Sequence, residues 1–144
     1  MAPDLERFIL AQESCYTAAL AELEDGSKQT HWMWFIFPQL RALGRSSTAQ
    51  FYGLADATDA RAYLDHPVLG ERLRSCTRAI LRHACTTSAF DILGSPDDLK
   101  FRSCMTLFSV IAPDEKLWRQ ALDAFYGGES DRLTLKLLSP TPGA

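Results

Sequence analysis

Apolar residues recur at helical spacing along most of the chain. The longest such stripe predicts a helix from about Asp4 to Glu24, with Asp4 as the N-cap and Gly26 as the C-terminal stop. Comparable stripes predict further helices over about 40–44, 47–54, 56–66, 67–84, 88–94, 96–111, 113–127 and 131–138, the last capped by Ser130. No repeat or linker interrupts this pattern. We therefore predict an all-α fold, a compact single-domain bundle of about seven to nine helices over residues 1–144, with 139–144 as a frayed tail.

The central run, residues 28–40, is the most apolar part of the chain, because residues 32–37 are all apolar. We predict that it is deeply buried, since no side of it can face water. Thr30 can cap a short helix that begins at His31, and Pro38 disfavours helical geometry at the residue before it. A buried strand is the alternative, because a short apolar run does not reveal its period. The absence of a recognisable partner strand favours the helix.

Composition and charge narrow the class of protein. The chain has 144 residues, is 47% hydrophobic and 23% charged, and carries a net charge of −3. This is typical of one globular domain, and the acidic balance argues against a nucleic-acid partner. No apolar run approaches the roughly 20 residues of a membrane span. The N-terminus turns acidic at once, unlike a signal peptide, so we expect a cytoplasmic protein.

The histidines and cysteines do not form a metal-binding pattern. The four cysteines lack C-x-x-C spacing and lie inside predicted helices, which indicates small buried thiols. The three histidines are scattered along the chain. We therefore predict neither a metal nor a cofactor.

Lys100 has an unusual position on the predicted 96–111 helix. With a turn of about 100° per residue, this lysine falls in the middle of the inward half-circle, and Asp98 falls on the opposite arc. The apolar residues of the inward half-circle are Leu99, Val110, Leu107, Ile111, Cys104 and Phe108. A lysine placed there either extends past the core to water or meets a counter-charge or a ligand, because an unpaired buried charge is costly. Both interpretations stay open.

Several polar and aromatic side chains near the central run could contact a ligand. Cations would meet negative charge, an aromatic ring would stack on a planar group, and amide, hydroxyl or imidazole groups would give directional hydrogen bonds. Each also has an ordinary structural explanation; Ser46, for example, can simply cap a helix instead of binding an anion at its N-terminus. The candidate ligand-binding residues are Lys28, His31, Trp34, Gln39, Arg45, Ser46, Tyr52, Lys100 and Ser103.

These residues also carry a resemblance to a known family. The chain resembles the small bacterial domain-of-unknown-function family 1810 from about Leu5 to Leu138, and its motifs are long and specific. They include the runs Lys28-x-x-His31-Trp32-Met33-Trp34, Leu43-Gly44-Arg45-Ser46, Tyr63-Leu64-x-His66-Pro67 and Asp98-x-Lys100-x-x-Ser103. The resemblance implies an all-helical domain and no established activity. The label calpastatin, sometimes applied to such proteins, does not fit, because calpastatin inhibitors are disordered polar chains.

Two functional hypotheses follow. The first is a pocket for a small anionic, nucleotide-like metabolite, lined by residues 28–40 and 97–108. Whether the protein also acts on such a metabolite stays open, with Asp98 or His31 as acid–base candidates. A faint fold-level likeness to the helical YbiA-like domains suggests ADP-ribose N-glycosides. The alternative is a non-catalytic helical protein–protein interaction module, which requires an exposed apolar patch. The oligomeric state is not indicated by the sequence.

Overall fold

Nine α-helices pack around one core within residues 5–138, the part of the chain that the computed structural model describes. This range contains no β-strand, only a parallel bridge between Leu40 and Leu54. The predicted all-α class is therefore confirmed. The N-cap predicted at Asp4 and the tail predicted at 139–144 lie outside the described residues. The helices are α1 Glu6–Asp25, α2 Met33–Ile36, α3 Ser47–Phe51, α4 Ala57–Asp65, α5 Leu69–Leu81, α6 Ala89–Leu93, α7 Asp97–Ile111, α8 Lys116–Tyr126 and α9 Arg132–Leu138, with a 3₁₀ turn at Arg41–Leu43.

The helices α1 and α5 lie side by side and run in the same direction. Near the start of α5, Arg72 Nη1 donates to Gln12 Oε1 at 3.3 Å. Just past the end of α5, His83 Nε2 lies 3.0 Å from the carbonyl oxygen of Leu23. The helix α1 stops at Gly26, whose φ of 75° is a left-handed conformation that glycine adopts without strain. The chain then turns away from α5 toward the central run.

The central run forms the short helix α2 and is buried as predicted. Residues 32, 33, 35–38 and 40 are buried and Trp34 is partly exposed, whereas residues 29–31 at the start of the run are exposed. The predicted helical cap at Thr30 is wrong, because the N-cap position belongs to Trp32 and carries no side-chain cap. The Thr30 hydroxyl donates instead to Glu22, 2.7 Å away. The preference for helix over strand is confirmed.

Ser and Asp side chains cap the N-termini of several helices, among them Ser46, for which the sequence offered this explanation. Ser46, Asp56 and Ser88 each accept a hydrogen bond from the backbone N–H three residues on, at 3.1, 2.9 and 3.0 Å. At α9 the predicted cap, Ser130, is wrong. Asp131 takes that role, and its Oδ2 accepts from the N–H three residues on at 3.0 Å. A carboxylate also suits the positive end of the helix dipole.

The central helix α7 has a wider buried surface than predicted, and that surface is rotated from the predicted face. Leu99 and Val110, predicted to point inward, are 49% and 42% exposed, whereas Phe101 and Met105 are fully buried. The physical reason is that α4, α6, α8 and α9 all pack against α7, so its contacts are not confined to one stripe. Lys100 therefore lies at the edge of the buried surface and not in its middle.

Two of the four cysteines behave as predicted. Cys76 and Cys104 are fully buried, and burial raises the pKa of the Cys76 thiol to about 12 and that of Cys104 well above its usual range. Cys15 is partly exposed. The prediction for Cys85 is wrong, because α5 ends at Leu81 and leaves this residue exposed in the following turn. Among the described residues, no cluster of three or more His, Cys, Asp or Glu side chains could hold a metal ion. In the same range, every helix is too short or too polar to cross a membrane.

Candidate functional site

The loop between α1 and α2 is held by the carboxylate of Glu22. It accepts hydrogen bonds from the backbone N–H of Gln29 at 2.7 Å, from the N–H and hydroxyl of Thr30 at 3.0 and 2.7 Å, and from the indole N–H of Trp32 at 2.8 Å. Burial alone would raise the pKa of Glu22, but these hydrogen bonds outweigh it and lower the pKa to about 2. A charged side chain of α1 thus fixes the loop that carries Lys28.

Asp97, the first residue of α7, binds two lysines. Its Oδ2 lies 3.0 Å from Lys28 Nζ, and its Oδ1 lies 3.6 Å from Lys100 Nζ. The Lys28 side chain is only 9% exposed, and its Nζ also lies 5.2 Å from the centre of the Trp32 ring. Lys28 is therefore engaged within the fold. Lys100 has the longer contact, and its side chain is 24% exposed, so it is less completely engaged within the fold than Lys28.

Lys100 and the central run meet in space, as the first functional hypothesis requires. Lys100 Nζ lies 5.4 Å from the centre of the Trp34 ring, and both side chains line a recess together with Gln39 and Tyr52. The recess has a volume of about 10 Å³, which is room for one water molecule. The stacking of a planar ligand on Trp34 or Tyr52 therefore requires the recess to open.

Gly53 allows two segments to approach closely beside the recess. A Cβ atom at this position would lie only 2.3 Å from the Cα of Arg41, a distance that real Cβ atoms do not adopt. The close approach brings the Gln39 carbonyl oxygen within 3.0 Å of the Leu54 N–H, and the Arg41 N–H within 2.8 Å of the Leu54 carbonyl oxygen. Two backbone hydrogen bonds thus position the segment that carries Gln39.

An open groove of about 360 Å³ adjoins the recess and shares Gln39 and Lys100 with it. One wall comes from the segment around the 3₁₀ turn, and the others come from α7 and α9. The polar residues that line the groove are Gln39, Arg45, Lys100, Ser103 and Asp131. The apolar residues are Leu43, Pro96, Leu99 and Leu133. Charged groups and an aliphatic surface therefore face the same space.

The candidate residues divide by position. The groove brings together Gln39, Arg45, Lys100 and Ser103, and the recess adds Trp34 and Tyr52. The other three do not line either space. Lys28 is bound to Asp97, His31 is exposed to solvent, and Ser46 caps α3.

Two acids at the groove were not among the candidate residues: Asp131, which lines it, and Asp97, which contacts Lys100 from beside it. Asp97 lies three residues before Lys100, which is a recognised position for an ion pair on a helix, so the sequence did carry a signal for it. Asp131 reaches the groove because α9 packs against α7. Its backbone N–H donates a hydrogen bond to Thr106 Oγ1 at 2.9 Å. No local pattern in the sequence indicates that packing.

Asp98 does not occupy the solvated arc predicted for it. It is partly buried, and its carbonyl oxygen accepts a hydrogen bond from the hydroxyl of Tyr126 on α8. Its Oδ1 and the Nε of Arg102 are buried without a hydrogen-bond partner among the described residues. The cause is α8, which packs on this side of α7. Asp98 lines neither the groove nor the recess, so its position does not favour an acid–base role there.

Comparisons with known proteins give two matches and one negative result. A family model described as "Protein of unknown function (DUF1810)" matches residues 2–138. A search of curated proteins gives no match. Among solved structures, the chain is similar to the conserved hypothetical protein Rv1873 from Mycobacterium tuberculosis, with 44% sequence identity and a TM-score of 0.93. The similarity covers 96% of this chain and 98% of that one.

Proposed function

The chain belongs to the DUF1810 family, whose description assigns no activity, and we propose that it binds a small anionic metabolite in the groove between the Gln39–Arg45 segment and α7. The observation that carries this proposal is the convergence of Lys100, Arg45 and Gln39 on one open space. These residues are up to 61 positions apart in sequence (100 minus 39). Their meeting is a product of the tertiary structure.

Most polar side chains of the groove make few hydrogen bonds or ion pairs with the rest of the protein. Within the described residues, the side chains of Gln39 and Arg45 make no hydrogen bond or ion pair. In the same range, the one ion pair of Lys100 is the 3.6 Å contact with Asp97. The Ser103 hydroxyl donates to the Leu99 carbonyl oxygen at 3.2 Å, which leaves its own oxygen free to accept. The donors of Gln39, Arg45 and Lys100 therefore remain available to an anion.

The size and lining of the groove are also suitable for a metabolite. Its volume of about 360 Å³ lies at the small end of the range of roughly 300–1,000 Å³ found for ligand sites. Leu43, Leu99 and Leu133 line the same space as the charged groups and provide apolar surface. Of these, Leu99 and Leu133 are about half exposed, at 49% and 51%, so a ligand that covered them would gain apolar contact.

Isothermal titration calorimetry and thermal-shift measurements test the proposal. The probes are inorganic phosphate, AMP and ADP-ribose, the last because of the faint likeness to domains that act on ADP-ribose N-glycosides. A probe at 100 times its Kd should stabilise the protein by about 2.7 kcal/mol, which corresponds to a rise in Tm of roughly 8–11 °C. Lys100→Met should abolish most of this rise.

A matched control is Lys116→Met, which removes the same charge from an exposed site at the start of α8, outside the groove. This variant should bind each probe as the wild type does. Failure of all three probes to bind the wild type would overturn the proposal.

The alternative function, a non-catalytic interaction module, is favoured by one observation. The helix α9 exposes Leu133, Leu135 and Leu137, which are 39–51% exposed, whereas Trp32 is covered by the core and cannot anchor a partner. Sedimentation velocity over a hundredfold concentration range tests this alternative for self-association. If Leu135→Asp removes a concentration-dependent increase in sedimentation coefficient, α9 is an interface; a constant monomer value excludes self-association through it.

A further inference from the structure

The two acids at the groove are each paired with a cation that does not line the groove. Asp97 is paired at 3.0 Å with Lys28, whose side chain is 9% exposed. Asp131, which lines the groove, lies 3.9 Å from Arg102 Nη2 and accepts two hydrogen bonds from Thr134, at 3.0 and 2.5 Å. Neither carboxylate therefore cancels the charge of a groove cation completely.

Two cations then remain uncompensated at the groove. Lys100 shares Asp97 with Lys28 and holds only the longer contact of 3.6 Å, and Arg45 has no ion pair among the described residues. The groove consequently presents about two net positive charges, although the chain as a whole carries a net charge of −3. A local charge of this size selects ligands by charge as well as by shape.

We infer that the groove selects a dianionic headgroup on a short aliphatic body, of the organic phosphate monoester type, and that Lys28 sets this selectivity from outside the groove by neutralising Asp97. This inference rests on the proposed function. A phosphate monoester carries close to two negative charges at neutral pH and offers three acceptor oxygens. Arginine and lysine bind such groups by charge-assisted hydrogen bonds. The aliphatic body would contact Leu99 and Leu133 at the exposed wall.

The first experiment uses two probes that differ in charge but not in shape. At pH 7.5, n-butyl phosphate is mostly a dianion and n-butyl sulfate is a monoanion, and both have a tetrahedral headgroup on the same four-carbon chain. Titration calorimetry on the wild type should show phosphate bound roughly tenfold or more tightly than sulfate, because the second charge interacts with two cations. Equal affinities would overturn the charge selectivity while leaving the proposed function in place. No binding of either probe would overturn the inference, and the titrations with inorganic phosphate, AMP and ADP-ribose then decide the proposed function separately.

The second experiment tests the role of Lys28. In Lys28→Met, Asp97 loses its main partner and binds Lys100, so the preference for phosphate over sulfate should fall to roughly threefold or less. Lys28→Met combined with Asp97→Asn removes one charge of each sign and should restore the preference, which also shows that loss of the buried pair has not unfolded the groove. Lys116→Met has the same net charge as Lys28→Met and should keep the wild-type preference. If Lys28→Met keeps that preference as well, the assigned role of Lys28 is wrong.

Discussion

Replacement of Glu22 by Gln should destabilise the protein substantially, because one carboxylate satisfies four donors in the loop before α2. Loss of the hydrogen bond from the indole N–H of Trp32 should cost the most, because that side chain is 1% exposed and water cannot easily replace the carboxylate. A buried donor left unsatisfied costs about 1–3 kcal/mol. The N–H groups of Gln29 and Thr30 lie at exposed positions, where water can replace the carboxylate, and add about 1 kcal/mol. The total loss should be about 2–4 kcal/mol.

Urea unfolding at several pH values measures this contribution and its sign. The pKa of Glu22 is about 2 in the folded protein, below the usual 4.5, so its ionised form stabilises the fold above pH 4.5. That stabilisation is lost as the pH falls from 4.5 toward 2. The difference in unfolding free energy between wild type and Glu22→Gln should therefore be largest at pH 6–7 and shrink below pH 4.5. The control is Glu13→Gln, at an exposed position of the same helix. A difference below about 0.5 kcal/mol at pH 7, or one that is independent of pH, would refute the reasoning.

Three further substitutions test the geometry of the core and the site by urea unfolding. Gly53→Ala should lose about 2 kcal/mol or more, because the new Cβ would lie 2.3 Å from Arg41 Cα; a neutral result would mean that the two segments are further apart. Tyr63→Phe should lose about 1–2 kcal/mol, because the fully buried hydroxyl donates to a main-chain oxygen of α2 at 3.3 Å; unchanged stability would show that this hydroxyl makes no useful bond. Lys100→Met should change stability by less than about 1 kcal/mol, because its ion pair with Asp97 is long and partly exposed; a loss of several kcal/mol would identify Lys100 as a structural residue.

The amphipathic patterns and the capping residues were sufficient to predict most of the helices. They work because a cap such as Asp56 forms a local hydrogen bond, which depends only on residues close in sequence. The helix α7 departs from its predicted pattern, since Leu99 is exposed and Asp98 is partly buried. A helix with neighbours on several sides has no single apolar stripe, and the positions of those neighbours decide which of its residues stay exposed. The packing of α8 and α9 decides this, and local sequence does not record it.

The part of the candidate site that depends on local sequence was predictable, and the part that depends on helix packing was not. An ammonium among leucines on the 96–111 helix indicated a partner or a ligand, and the structure places Lys100 beside Trp34. The groove itself depends on α9 crossing α7, so the sequence did not indicate Leu133 or Asp131. His31 was a candidate site residue that the structure places away from the groove. Its place next to an apolar run favoured a position near the site, but the loop fixed by Glu22 turns it toward solvent.

A phosphate titration followed by ¹H–¹⁵N NMR tests the central claim most directly, because the chain offers a second cationic groove for comparison. That groove, of about 250 Å³, lies between α1 and α5 and is lined by Arg78 and Arg82 together with Glu24. With n-butyl phosphate or AMP as the probe, the saturable shifts should be confined to the side-chain amide of Gln39, the guanidinium of Arg45 and the backbone around Lys100 and Ser103. Shifts that concentrate at Arg78 and Arg82, or that spread without saturation over every exposed cation, would contradict the account.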